Sequence, residues 1–433
     1  MARGPKKIGL LDHMGGGNLG DDTTQTAVMY NIRSRWPDAT IYGFSMNPAD
    51  SESRHAIPSY PIRRRTWNNP DRVEVVGGGG TDKVEMVQKP NRGRRLLRAI
   101  TAAAIKKPLA AMSEFFFLAK SLAIMRTLDI FVISGGGQLL DSWGGTWEYP
   151  YTILKWVSLA RLSGTKCYFV NVGAGPLRHP LSRFFIRIAL SLADYVSLRD
   201  QKSKSIIRKI GFKGEALVFP DCVYGMDLRL IDAGSNKALN QAVVGMSPMA
   251  YCDPCRYWIQ DQGAYETFVR KFVMFGSWLS ERYRLALFST DVWFDAKTLD
   301  KVDQALKDQR SFDDTQLLPR EPITTVEALL SHMSSMDYIV TCRFHGVVFA
   351  HLMNIPVIAL SHHPKVTTLM ADLGLSEYCL DIDTFDPESL KTAFARMVSD
   401  TVGIKARMAE KLAFYRSELS RQFDHLCSPE VIR

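Results

Sequence analysis

Along this chain, short and wholly apolar runs alternate with longer stretches in which apolar residues return every three or four positions. Ile8-Gly9-Leu10-Leu11, Ile130-Phe131-Val132-Ile133, Tyr168-Phe169-Val170, Val243-Val244, Ile339-Val340 and Val357-Ile358-Ala359-Leu360 are too short for buried helices and carry no polar alternation. They predict strands covered on both faces, as in a parallel sheet. Helical spacing follows over about 23–35, 149–163, 181–193, 263–282, 325–334 and 345–354. Strand and helix in turn predict βα units, and these come in two series. The first runs from Lys7 to Asp221 and the second from Ala242 to Leu373, with a linker at about 225–241. The expected architecture is α/β, with two Rossmann-like domains over 1–225 and 240–385 facing a cleft, and terminal helices over 386–433 packing back on the first. A basic insertion over about 46–128, loop-rich and then helical, interrupts the first series.

The ends of the strands carry the polar and glycine-rich segments. Parallel sheets bind ligands at the carboxyl ends of their strands, and a helix starting there offers unpaired N–H groups to an anion. Five segments fall at such positions: Asn18-Leu19-Gly20-Asp21-Asp22, Ser134-Gly135-Gly136-Gly137, Gly173-Ala174-Gly175-Pro176-Leu177-Arg178, Arg199-Asp200-Gln201-Lys202-Ser203 and Arg343-Phe344-His345-Gly346. The first lacks the Lys-Ser/Thr of a P-loop, and its glycines are not spaced as GxGxxG. Asp21, Asp22 and Thr23 suit the start of a helix.

Charge and cysteines narrow the class. The 433 residues carry a formal charge of +9 and a pI of about 9.1, which favours anionic partners. No RNP, zinc-finger or helix-turn-helix signature is present, so nucleic acid is not the expected partner. Seven cysteines without framework spacing point to a reducing, cytoplasmic setting. Cys252-Asp253-Pro254-Cys255 reads as a loop, and His362-His363 lacks a partner carboxylate, so no metal site is expected. The start of the chain has no apolar signal region, and no apolar run is long enough to span a bilayer. The stretch from Arg92 to Lys107 reads either as helices packed on the domain or as a contact with an anionic membrane surface, which would place the protein on the inner face of the cell membrane.

In their order, these segments resemble the polysaccharide pyruvyl transferase family, from Asn18-Leu19-Gly20-Asp21-Asp22 to Arg343-Phe344-His345-Gly346 and Pro364-Lys365-Val366. Cys342 stands where the family usually has serine. The resemblance implies the glycosyltransferase-B arrangement of two domains. It also implies transfer of a pyruvyl group from phosphoenolpyruvate to sugar hydroxyls as a ketal, in a cell-envelope glycan or exopolysaccharide, often on a lipid-linked oligosaccharide. No metal or other cofactor is implied. Such a donor needs several cations, and the reaction needs a proton-transfer group near neutrality. His345 is the expected catalytic residue. Lys365, Arg199, Arg343, Arg178 and the backbone at Gly346 are expected on the donor side. Asn18, Asp21, Asp22, Gly135, Gly136 and Gly137 are expected on the acceptor side. Two other readings stay open: a nucleotide-sugar-dependent glycosyltransferase of similar fold, and a non-catalytic glycan-binding relative.

Overall fold

The computed structural model describes residues 5–12, 17–64, 112–142, 144–227, 241–255, 257, 259–309, 313–320 and 322–428. The basic stretch from Arg92 to Lys107 lies outside them.

The first half is built on seven parallel strands, β1 (Lys7–Leu11), β2 (Thr40–Ser45), β3 (Ser59–Pro61), β4 (Ile130–Ser134), β5 (Lys166–Val172), β6 (Tyr195–Leu198) and β7 (Leu217–Val218), in the order 3-2-1-4-5-6-7. Both faces are covered, which is why the strands read as continuous apolar runs. Along β4, Ile130 and Val132 join one core with Ile8, Val28 and Phe423, while Phe131 and Ile133 join the other with Trp156, Val157 and Ile186. Helix α1 (Leu19–Arg35) lies on the first face. Helices α3 (112–125), α4 (Tyr149–Ser163) and α5 (Pro180–Leu192) cover the second, and α6 (Gln201–Lys209) follows β6.

The second half holds five parallel strands, β8 (Val243–Ser247), β9 (Arg284–Leu287), β10 (Tyr338–Thr341), β11 (Val357–Ser361) and β12 (Cys379–Asp381), in the order 12-11-10-8-9. Its helices are α7 (Gln262–Ser280), α8 (Ala296–Lys307), α9 (Val326–Ser334), α10 (Phe344–Leu352) and α11 (Pro364–Asp372), then α12 (Pro387–Ser399) and α13 (Thr401–Leu426). Strand order reverses at β1/β4 in one sheet and at β8/β10 in the other, so each sheet opens a crevice at its carboxyl edge.

Three local readings change. Helix α1 begins at Leu19 and not near Thr23, because Asn18 Oδ1 caps it by accepting the Gly20 N–H at 3.0 Å. Asp21 and Asp22 therefore sit inside its first turn. Helix α9 begins at Val326, one residue later than the spacing predicts, because Thr325 is its cap. Within the segment read as loop-rich, α2 (Pro48–His55) forms behind an Asn47 cap with proline in its first turn, a start signal that the surrounding polarity obscured.

The chain returns to the first sheet through α13. Gln422 Nε2 donates to Asn171 Oδ1 at 2.8 Å and to Ser197 Oγ at 2.9 Å, and Phe423 and Leu426 enter the core beside Ile8. The halves also meet directly: Leu19 N–H donates to Thr290 O at 2.9 Å, and Asn18 bridges Asp291. The start of α1 is thereby pressed against the carboxyl edge of the second sheet.

Candidate active site

His345 occupies the first turn of α10, directly after β10. Arg343 at the cap position makes no side-chain cap, and the N–H groups of Phe344, His345 and Gly346 have no acceptor among the described residues. Three unpaired donors at a helix start make an anion cradle. Gly346 is required there because a Cβ would lie 2.2 Å from Thr341 Oγ1. The His345 ring is 8% exposed, stacks on Phe349 at 6.1 Å between centroids, and buries an Nε2 without a partner. Its other side is closed from the opposite half: a Cβ on Gly20 would come within 1.9 Å of His345 Nδ1. Gly20 thus lets α1 approach the histidine.

Cations converge on the same point. The Arg199 guanidinium crosses from the first half to lie 4.5 Å from the Phe344 ring centroid, and Lys365 Nζ lies 5.5 Å from it. Arg199 is paired with Asp221 Oδ2 at 3.3 Å, whereas Lys365 has no ion-pair partner among the described residues. His362 and His363 flank Lys365, their pKa values driven down by burial and then by Lys365, to about 4 for His363. Burial, with Lys365, Arg199 and Arg343 adding to it, also pushes His345 down to about 3, against the pull of Asp221. Burial thus favours the neutral imidazole, which corrects the expectation that His345 titrates near neutrality.

Asp21 and Lys365 are shifted toward neutrality instead. Burial raises Asp21 to about 7, opposed first by Lys365, and Asp22 and Asp291 add to the rise. Burial lowers Lys365 to about 8, helped by Arg199 and opposed by Asp21. Asp21 thus faces the cation cluster across the cleft. Asp22 turns the other way, 3.7 Å from both Arg54 Nη1 and His55 Nε2 of α2. Of the two adjacent carboxylates expected on the acceptor side, only Asp21 faces the cleft.

The remaining expected residues divide. Arg343 is not an open clamp: its Nε and Nη2 donate to Asp295 Oδ2 and Oδ1 at 2.8 and 2.6 Å, and Asp291 lies 3.5 Å from Nη2. Arg178 is exposed, held through its backbone N–H to Asp141 Oδ1 at 3.1 Å, and its side chain does not join the cluster. Gly135 and Gly136 adopt φ of +55° and +57° and are buried. The approach they permit is to the chain itself, since a Cβ on Gly135 would strike Thr24 Cγ2 at 2.1 Å and Gly136 O accepts the Gly173 N–H at 2.8 Å. Gly137 alone of the three is half-buried. The Asn18 side chain is engaged as the α1 cap.

Sequence reasoning missed Asp291 and Asp295. Both follow β9 at the carboxyl edge, the position at which such a sheet gathers its ligand-binding residues. Burial raises Asp291 to about 6 despite Arg343. Among the described residues no group of three His, Cys, Asp or Glu side chains is placed to hold a metal ion.

Asp21→Asn is expected to stabilise the fold by roughly 1–3 kcal/mol at pH 8 and by less at pH 5. The folded pKa lies above the unfolded one, so stability drains away as pH rises toward about 7, and the amide removes that cost. Denaturant titrations of both proteins at the two pH values check this, and an equal effect at both would contradict it.

Two facing Rossmann-like halves with a crevice between their carboxyl edges define the glycosyltransferase-B type of fold. Solved structures of similar shape agree. The trehalose-6-phosphate phosphatase N-terminal domain of Candida albicans matches at a TM-score of 0.53 and 12% identity, over 97% of each chain. A putative UDP-N-acetylglucosamine 2-epimerase of Listeria monocytogenes matches at 0.52 and 11%, over 94% of this chain and 91% of that one. OtsA in its apo form matches at 0.51 and 10%, over 99% of both. At such identities the likeness is one of fold. No curated protein matches the chain. The family model for polysaccharide pyruvyl transferases matches residues 18–364, and the chain belongs to that family of transferases.

Proposed function

We propose that the protein transfers the pyruvyl group of phosphoenolpyruvate to two hydroxyls of a sugar in an envelope or exported polysaccharide, forming a ketal. The observation that carries this reading is the orphaned His345 Nε2 beside Lys365, Arg199 and the three unpaired N–H groups of α10. That arrangement suits a small ligand with two anionic ends and a carbon beside them to be protonated. Lys365 and the α10 N–H groups take the phosphate, and Arg199 the carboxylate. Arg343, locked on Asp295, positions the turn.

The reaction balances without a redox partner. The donor methylene gains a proton and becomes a methyl group, which leaves C2 electrophilic. One sugar hydroxyl attacks C2, the C–O bond to phosphate breaks, and a second hydroxyl closes the ring. The two hydroxyl protons account for the new methyl hydrogen and the one on the departing phosphate. His345 moves the proton at the donor. The bound anion offsets Lys365 and Arg199, so the histidine becomes more basic in the complex than in the free protein. Asp21, poised at about 7, accepts the acceptor's proton.

Phosphoenolpyruvate alone is expected to raise Tm, and uridine diphosphate is not; the reverse pattern would favour nucleotide-sugar chemistry. Donor affinity should fall as pH rises through about 8, because the protonated Lys365 that attracts the anion is lost there. Lys365→Ala should raise the donor KM about 10–100-fold and flatten that pH dependence. An unchanged KM would remove Lys365 from the site.

A further inference from the structure

The first half carries an aromatic surface that the chemistry above does not use. Helices α3, α4 and α5 lie together over one face of the first sheet, and each begins at the carboxyl edge, the edge that lines the cleft. Their beginnings expose large apolar side chains: Phe115 and Phe116 on α3 at 66% and 64%, Trp147 just before α4 at 66%, and Phe184 on α5 at 46%. Those before α4 and on α5 are continuous. Trp147 packs on Tyr151 at 5.6 Å and on Phe185 at 5.7 Å, and Phe185 lies 6.3 Å from Phe184. Lys155 joins α3 to α4, 4.8 Å from the Phe117 centroid and 5.6 Å from that of Tyr151. A patch of this kind on a protein surface marks an interaction site.

Charge says what covers it. Around it Arg178 is exposed, and the acids on the same face are paired: Glu148 with Arg63, and Glu114 with Lys155 at 3.7 Å and Arg64 at 4.0 Å. Arg183 is exposed on α5, and the Arg187 guanidinium lies 5.7 Å from the Phe184 centroid. Aromatic rings interleaved with cations match the headgroup layer of an anionic bilayer. Among the described residues no helix is long and apolar enough to cross a membrane, so this contact is one of lying on the surface. The patch lies at the carboxyl edge of the first sheet, the edge that lines the cleft.

We infer that the helix beginnings of α3, α4 and α5 dock the protein on an anionic lipid surface, with the cleft opening toward an acceptor carried there. The purpose of the contact rests on the proposed function, but the contact itself is measured without turnover, so either can fail alone. The test is co-flotation with vesicles of phosphatidylglycerol and phosphatidylcholine, against vesicles of phosphatidylcholine alone, at low and raised salt. The protein should bind the anionic vesicles, less so as salt rises. The double variant Phe116→Ser/Phe184→Ser should bind at least about tenfold less, and so should Arg183→Glu/Arg187→Glu. Both should keep the wild-type Tm and the Tm shift with phosphoenolpyruvate. Absence of wild-type binding at low salt overturns the inference. So does unchanged binding by both variants, and so does a wild-type dimer in sedimentation that either variant dissolves.

Discussion

His345→Gln is expected to lower kcat by about 10²–10⁴-fold while leaving Tm within a few degrees of wild type. Glutamine approximates the ring's size and can keep hydrogen bonds to a bound anion, but it cannot exchange a proton. Alanine is the poorer test, because the ring is buried between Phe349 and Gly20, and its removal leaves a cavity whose cost mixes with the chemistry. Gly20→Ala is a useful companion. Its Cβ would fall 1.9 Å from His345 Nδ1, so the ring must shift, and kcat should fall although the histidine is still present. Phosphate release at saturating donor and acceptor measures both variants. Near-wild-type kcat in His345→Gln would reduce the residue to packing and anion contact.

Asp295→Ala is expected to cost about 3–5 kcal/mol of stability, a fall in Tm of roughly 6–20 °C. The carboxylate is wholly buried and accepts from Ala250 N at 2.9 Å, Ser289 Oγ at 3.1 Å, and Arg343 Nε and Nη2 at 2.8 and 2.6 Å. Burial works against the charge on Arg343, and Asp295 with Asp291 more than restores it. Without Asp295 the guanidinium keeps one weaker partner, Asp291 at 3.5 Å. The double variant Asp295→Leu/Arg343→Met should recover much of the loss, since the expense lies in stranding one charge and not in lacking the pair. Thermal and denaturant unfolding of the three variants test this. A single variant as stable as wild type would mean that Asp291 alone suffices to hold the turn.

Much of the architecture was legible because burial on both faces leaves a plain signature. Ile130 to Ile133 have to be apolar at every position, so the strand stands out without any alternation. The helices between strands follow from the same demand, and the order of βα units then limits the topology to the doubly wound kind. The short elements were not legible. α2 and β12 owe their form to a cap and to an edge pairing, and their local composition is that of a loop. α8 hides in a charged stretch, 296–307, whose buried residues are Thr298, Val302 and Leu306.

The site divides along a similar line. Sequence alone placed His345, Lys365, Arg199 and Asp21 at the ends of strands or starts of helices, because a parallel sheet puts every such end on one edge. It also marked Gly346 as lying where a strand gives way to a helix, whereas Gly20 stood in a loop ahead of a helix placed too late. What those side chains do depends on neighbours that are far away in the chain. Arg343 and Arg199 are the same residue type at similar turns, yet one is closed on Asp295 and the other reaches across to Phe344. Asp21 and Asp22 are adjacent, yet they face opposite sides of α1. Protonation shows the gap most clearly: an isolated histidine would titrate near neutrality and an isolated aspartate well below it, and burial reverses that order, with the converging cations adding to its effect on His345 and opposing it on Asp21. Local pattern determined which residues arrive at the cleft, since it fixes strand ends and helix starts. Only the packing of the two halves decided their charge and their partners, since desolvation and Coulomb fields are set by everything within reach and not by position in the chain.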